Sequence, residues 1–299
     1  MVVLDLKEHL KEKKRLVDKF LDDYLPKADV HPIALHEAIR YSLFAGGKRV
    51  RPILCIASCE AVGGDIDTVL PVASAIELIH TYSLIHDDLP AMDNDDYRRG
   101  RPTNHKMYGE AIAILAGDAL LTLAFDLLSD KGLSKRIDSD SLLSIIKTLA
   151  SASGSTGMVG GQAADIQASG KELNLPEVEY IHIHKTGALI RASVCIGAIA
   201  GNASNDELHA LTRYGECIGL AFQIADDILD IEGSRDEIGK DVGSDIAKEK
   251  VTYPSVIGIS ESKKLANGLI DKSIEAISNL GDKAEPLREI ARYIVERKS

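Results

Sequence analysis

Eight residues near position 226 set hard limits on any fold this chain adopts. Gln223-Ile224-Ala225-Asp226-Asp227-Ile228-Leu229-Asp230 places three carboxylates inside an apolar pattern of helical period. At about 100° per residue, Asp226 and Asp230 fall about 40° apart, so one helix face carries both. Packing adjacent carboxylates among Ile224, Ile228 and Leu229 is costly through desolvation and mutual repulsion. The fold must therefore bring cations to that face.

A second acidic cluster, His86-Asp87-Asp88-Leu89-Pro90-Ala91-Met92-Asp93-Asn94-Asp95-Asp96, follows the apolar run IELIHTYSLI. Asp87 and Asp93 lie about 240° apart on an ideal helix and cannot converge while the helix continues. Pro90 supplies a break, since it removes a helix hydrogen bond. The spacing predicts a helix whose end unwinds and brings both carboxylates to a common ion. Hard oxygen donors suit Mg2+, which keeps waters and completes its shell with phosphate oxygens.

Direct cations for an anion stand close by. Gly46-Gly47-Lys48-Arg49-Val50-Arg51-Pro52 puts three cations in four residues after a Gly pair. It is not a nucleotide-binding P-loop, because Arg49 stands where Ser or Thr is required. Arg98-Arg99-Gly100-Arg101-Pro102 directly follows the first acidic cluster. A solvated turn explains either run alone; acids and bases this close suggest an anion site bridged by metal. His80 lies about 20° from Asp87 on the wheel, two turns earlier, where a structural and a ligand role are both open. His184-Lys185-Thr186-Gly187 sits in an apolar run, where a Lys without an anion is costly. Gly239-Lys240-Asp241-Val242-Gly243 leads towards Lys250, and a surface loop and a lid are both open readings.

The rest of the chain reads as helices around 33–44, 68–86, 111–128, 140–150, 178–200, 206–230 and 264–280. Breaks fall at Gly46-Gly47, Gly63-Gly64, Arg99–Pro102, Ser169–Pro176 and Gly233–Ser244. No 20–50-residue repeat or interdomain linker interrupts them, so a single all-α domain over 1–299 with roughly ten helices is expected. Leu287, Ile290 and Ile294 form one stripe, the mark of a docked terminal helix. Cys55, Cys59, Cys195 and Cys217 match no disulfide or metal spacing and are expected to be small buried residues. The charged start lacks a signal-peptide core, and Asp118 and Arg191 interrupt the longest apolar stretches; a cytoplasmic protein without a membrane anchor is expected. With 46 Asp+Glu against 35 Lys+Arg and 4% aromatics, no nucleic-acid surface is expected.

These residues together resemble the trans-prenyltransferases, the isoprenyl diphosphate synthases, and are most similar to the bacterial farnesyl type. GGKRVRP, HTYSLIHDDLPAMDNDDYRRGRPTNH, AILAGDALL, GMVGGQAADI, HKTGALI, FQIADDILD and GKDVGSD with KVTYP occur in the family's order from about Leu35 onward. The resemblance implies an all-α isoprenoid-synthase fold around a deep central cavity, a homodimer and Mg2+, three ions per site. It implies that Lys48, Arg51, His80 and Arg99 bind isopentenyl diphosphate. Asp87 and Asp93 would hold magnesium on an allylic diphosphate, with Asp226 opposite and Asp230 acting through water. Arg98, Lys185 and Lys240 would hold that diphosphate directly, with Lys250 a further candidate. Thr186 and Gln223 would line the path of the allylic cation with neutral oxygens. Asp241 and Tyr97 depart from the family's usual residues.

The implied reaction ionises an allylic diphosphate, and the double bond of isopentenyl diphosphate attacks the cation. Tyr82 and Ser83 lie roughly 6–7.5 Å deeper than Asp87 along the helix, where a growing chain would run. The wheel favours Ser83 as the residue on the Asp87 line. In the resembling farnesyl synthases, however, an aromatic at the Tyr82 position together with the Pro90-Ala91 insertion goes with a C15 product. The resemblance thus implies farnesyl diphosphate, with a geranylgeranyl or longer-chain product the nearest alternative. A terpene cyclase, an HD-type metal phosphohydrolase and a non-catalytic synthase subunit each leave these intact acidic motifs or GGKR unexplained.

Overall fold

The computed structural model describes residues 4–232 and 251–296, and among these nearly every element is a helix. In chain order they are α1 (Leu6–Tyr24), α2 (Ile33–Leu43), α3 (Val50–Ala61), α4 (Ile66–Asp87), α5 (Asn104–Tyr108), α6 (Glu110–Leu128), α7 (Ser139–Ser153), α8 (Met158–Ala168), α9 (Leu175–His182), α10 (Ala188–Ala200), α11 (Asn205–Glu232), α12 (Tyr253–Ile257), α13 (Ile259–Ala276) and α14 (Glu285–Glu296). A two-strand hairpin, β1 (Tyr97–Arg98) with β2 (Arg101–Pro102), sets Arg98 opposite Arg101. The predicted breaks separate these elements. The one at Gly233–Ser244 lies outside the described residues, as do Lys240 and Lys250.

α4 is the axis of one half of the core, packed against α3 and α6. Its start follows from Asp65, whose carboxylate accepts the Thr68 N–H at 3.1 Å. Pro71 lies inside the helix, and a proline there cannot donate to the carbonyl four residues earlier. That carbonyl, on Asp67, accepts from Arg136 Nη1 at 2.7 Å instead, so the helix runs on without an orphaned group. α10 and α11 form the other half, with α13 and α14 laid against α11. Leu287, Ile290 and Ile294 are buried, and the C-terminal helix is docked as its stripe requires. All four cysteines are free thiols, with Cys55, Cys59 and Cys217 buried.

Two parts of the helical reading need correction. The stretch 178–200 is not one α-helix: a π turn at Ile183–Gly187 separates α9 from α10. Here α8 packs backbone to backbone, since a Cβ on Gly161 would lie 2.2 Å from the Lys185 nitrogen. The widened turn carries Lys185 and Thr186, and functional residues are a common setting for such bulges. α3 shows no periodic stripe because Pro52 to Cys59 are buried without interruption, and a helix apolar all round carries no period to read. By length and composition, the helical segments Ile66–Asp87, Glu110–Lys135 and Leu175–Ala200 could cross a membrane; here 67%, 39% and 56% of an apolar 18-residue window in each is buried against the rest of the chain.

Behind the Gly46-Gly47 loop, Arg49 adopts φ 55° and is buried. Its Nη1 donates to Glu77 at 2.7 Å and its Nε to Asp18 at 2.8 Å. Of the three cations in GGKRVR, this one ties α1, α3 and α4 together.

Candidate active site

A cavity of about 890 Å³ opens between α4, α8, the π turn and α11. Asp87 reaches it from the last turn of α4. Beyond that turn the chain folds back: Asp93 N–H donates to the Asp87 carbonyl at 2.9 Å, and Met92 and Asn94 N–H both donate to the Leu89 carbonyl. The unwound helix end expected from Pro90 is present, and both Asp87 and Asp93 line the cavity. Burial, opposed by Lys185 and reinforced by Asp93, pushes the Asp87 carboxyl up to about 6. A cation bound there would relieve that cost.

α11 brings Phe222, Gln223, Asp226 and Asp227 to the opposite wall. Asp230 shares the Asp226 face but lies about 6 Å further along the helix and is not among the described lining residues. Among the described residues no three carboxylate, His or Cys side chains converge into a cage for a metal. The donors present are nonetheless hard oxygens on two facing walls, and these fit Mg2+, which takes part of its shell from water and phosphate.

Arg51, His80, Arg98, Arg99 and Lys185 line the same cavity. Arg51 Nη1 lies 3.4 Å from His80 Nε2. Burial, then the charges of Arg51 and Arg99, hold His80 well below its usual range, so it is neutral and accepts from Arg51. Arg99, at φ 53°, donates to the Gly46 carbonyl. A Cβ on Gly47 would lie 2.6 Å from the Arg99 guanidinium carbon, so the glycine is what lets Arg99 lie across the loop. Lys48 is not among the described residues that line this cavity. Arg49 turns inward, and Lys48 beside it lines a smaller cavity of about 240 Å³ with Lys11, Lys14 and Tyr293. Phe222 borders both spaces.

The other candidate cations are already oriented by acids. Arg98 donates from Nε and Nη2 to the buried Asp88, at 2.5–2.9 Å. Lys185 Nζ donates to Asp165 Oδ2 at 2.6 Å. Asp165 lies within GMVGGQAADI, but it is 20 residues from Lys185, so local spacing could not pair them. From the same motif, Gln162 is 8% exposed and lines the cavity, with neither amide atom hydrogen-bonded among the described residues. Thr186 donates to Gln223 Oε1 at 2.9 Å, which joins the two residues predicted to face a cation.

Tyr82 and Ser83 both line the cavity, so the wheel's preference for Ser83 alone is too narrow. Tyr82 is 7% exposed and meets His86 edge to face at 5.8 Å. Ser83 Oγ donates to the His80 carbonyl.

An all-α enclosure with acids on two facing walls and arginines, a neutral histidine and a lysine between them is the site of a protein built to hold a metal-bridged polyanion. Comparison with known proteins narrows this class. The polyprenyl synthetase family model matches residues 32–290. The chain is 47% identical to the geranylgeranyl diphosphate synthase of Cyanophora paradoxa, covering 98% of this chain and 97% of that one. It is 47% identical to the heterodimeric geranylgeranyl pyrophosphate synthase large subunit 1 of Arabidopsis thaliana, covering 99% and 80%. An FPP/GFPP synthase structure from Zymomonas mobilis superposes with a TM-score of 0.87 at 41% identity, covering 97% of this chain and 99% of that one. The chain belongs to the polyprenyl synthetase family and has the isoprenoid-synthase fold; it is a trans-prenyltransferase. The phosphohydrolase alternative falls with that membership.

Proposed function

We propose that the chain condenses isopentenyl diphosphate with dimethylallyl and then geranyl diphosphate, releasing pyrophosphate and giving farnesyl diphosphate. The observation that carries the C15 product is Tyr82, buried at the cavity wall five residues before Asp87 and backed by His86. A second reading, a geranylgeranyl product, is favoured by the names of the curated relatives.

In this reading Asp87, Asp93 and Asp226, with Asp230 through water, hold up to three Mg2+ ions. When bound, these supply the positive charge that makes diphosphate a leaving group. Arg98 and Lys185, with Lys240, orient the allylic diphosphate. Arg51, His80 and Arg99, which line the cavity, take isopentenyl diphosphate; Lys48, which lines the smaller space, is assigned to it by the resemblance alone. Thr186 and Gln223 present neutral oxygens to the allylic cation, which stabilises it without offering a nucleophile strong enough to trap it. Closely packed helices keep out water that would quench it.

The same reading treats residues 1–299 as one catalytic unit acting as a homodimer. Four free thiols support a cytoplasmic location, and no membrane anchor or nucleic acid is invoked. The test is incubation with Mg2+, radiolabelled isopentenyl diphosphate and either allylic diphosphate, followed by separation of products by chain length. A C15 product is expected. A C20 product establishes the second reading, and no product with either substrate overturns both.

A further inference from the structure

Asp227 sits in the middle of the second acidic motif, yet its surroundings differ from those of Asp226. It is 2% exposed, and its two carboxylate oxygens have separate donors. Oδ2 accepts the Tyr253 backbone N–H at 3.0 Å, and Oδ1 accepts Gln223 Nε2 at 2.9 Å. At the other end of the Gln223 amide, Oε1 accepts the Thr186 hydroxyl at 2.9 Å. Asp227, Gln223 and Thr186 all border the large cavity.

Hydrogen-bond chemistry fixes the direction of this chain. A backbone N–H only donates, and an ionised carboxylate only accepts. Gln223 must therefore turn its NH2 group towards Asp227 and its oxygen towards Thr186. Thr186 has a single hydroxyl proton and gives it to Gln223, so the lone pairs of its oxygen remain for the cavity. One buried charge sets both the flip of an amide and the rotor of the hydroxyl beyond it.

We propose that Asp227 is a positioning residue for the prenyl-transfer step: it holds Gln223 and Thr186 in the polarity that directs oxygen lone pairs, rather than a hydroxyl proton, at the developing allylic cation. The inference rests on the reading above that Thr186 and Gln223 face that cation.

The isosteric variant Asp227→Asn inverts the chain. Tyr253 N–H still requires the side-chain oxygen, so the new NH2 group faces Gln223, whose amide must flip. Thr186 then accepts, and its proton turns into the cavity. The double variant Asp227→Asn/Gln223→Glu restores the original polarity with the charge moved to position 223. There the introduced amide at position 227 donates to one oxygen of the introduced carboxylate, and the other oxygen accepts from Thr186.

The experiment measures kcat, KM for both diphosphates and the Mg2+ concentration for half-maximal rate in Asp227→Asn, the double variant and Thr186→Val. Asp227→Asn should lose about 10- to 100-fold in kcat, the loss typical when a supporting hydrogen bond to a working group is removed. KM and the Mg2+ requirement should stay within about twofold, and the double variant should recover most of kcat. An undiminished kcat in Asp227→Asn, a raised Mg2+ requirement or no recovery in the double variant overturns the proposal. Thr186→Val separates the two levels. If it lowers kcat while Asp227→Asn does not, the cation reading stands and the positioning role fails; an unchanged rate in Thr186→Val removes the cation reading itself.

Discussion

The backbone N–H of Asp93 donates to the carbonyl of Asp87 at 2.9 Å, across a six-residue separation that a continuous α-helix would splay to different sides. The hydrogen bond closes the end of α4 and sets two carboxylates from one motif at one wall of the cavity. Asp96, three residues on, lies outside this arrangement and pairs with Lys106 at the surface.

Asp93→Asn should therefore lower kcat by about 10²–10³-fold, as expected when a charge-stabilising group of the transition state is removed. Asp96→Asn should stay within about twofold of the native rate, because an exposed pair contributes little. Steady-state condensation assays with labelled isopentenyl diphosphate compare the two. Equal losses would mean that acidity of the whole loop, not the folded return, is what the site uses.

Tyr82→Ala removes the aromatic that meets His86 and deepens the cavity below Asp87. Products should shift from C15 to C20 and longer, read by chain-length separation, with the total rate of isopentenyl incorporation kept within about tenfold because the charged wall is untouched. Unchanged product length would take Tyr82 out of the specificity argument.

Much of this was legible in the sequence, for identifiable reasons. Asp87, Asp93 and Asp226 stood out because charge inside an apolar helical pattern is costly and needs an explanation. The helix breaks were legible because Gly and Pro act locally. Asp165 was not, because its partner Lys185 is 20 residues away and joined to it only by the packing of α8 on the π turn. The π turn itself was hidden, since its sequence keeps the apolar period of the helices on either side. Lys48 and Arg51 read as one cationic patch; a single inward turn at Arg49 sends them to different cavities.

That inward turn has its own consequence. Arg49 and Glu77 are both buried and paired at 2.7 Å, with Asp18 the second anion on the guanidinium. Removing one partner of such a pair strands the other charge, which typically costs about 3–5 kcal/mol. Glu77→Ala should thus lose about 3 kcal/mol in urea denaturation, at the lower end because Asp18 remains. A change below about 1 kcal/mol would show that Asp18 and the Leu43 carbonyl suffice to hold Arg49.

Acid stability is set in part by His182, which is buried against Tyr253 and near Asp227. Burial, the largest cause, lowers its pKa to about 4. In the unfolded chain it titrates near about 6.5, so between these values the unfolded state takes up a proton that the native state refuses. Stability from this group is therefore complete above about pH 6.5 and is lost as the pH falls towards 4. The loss between pH 7 and pH 5 is about 2 kcal/mol. Asp87 acts in the opposite sense: its raised carboxyl takes up a proton in the native state first, and that stabilises the fold on acidification. The two contributions are separated by His182→Gln, which removes one titration and leaves the other. In this variant the denaturation midpoint at pH 5 should rise relative to that at pH 7, compared with the native chain, because the Asp87 contribution is then unopposed; an unchanged difference would place the acid sensitivity elsewhere.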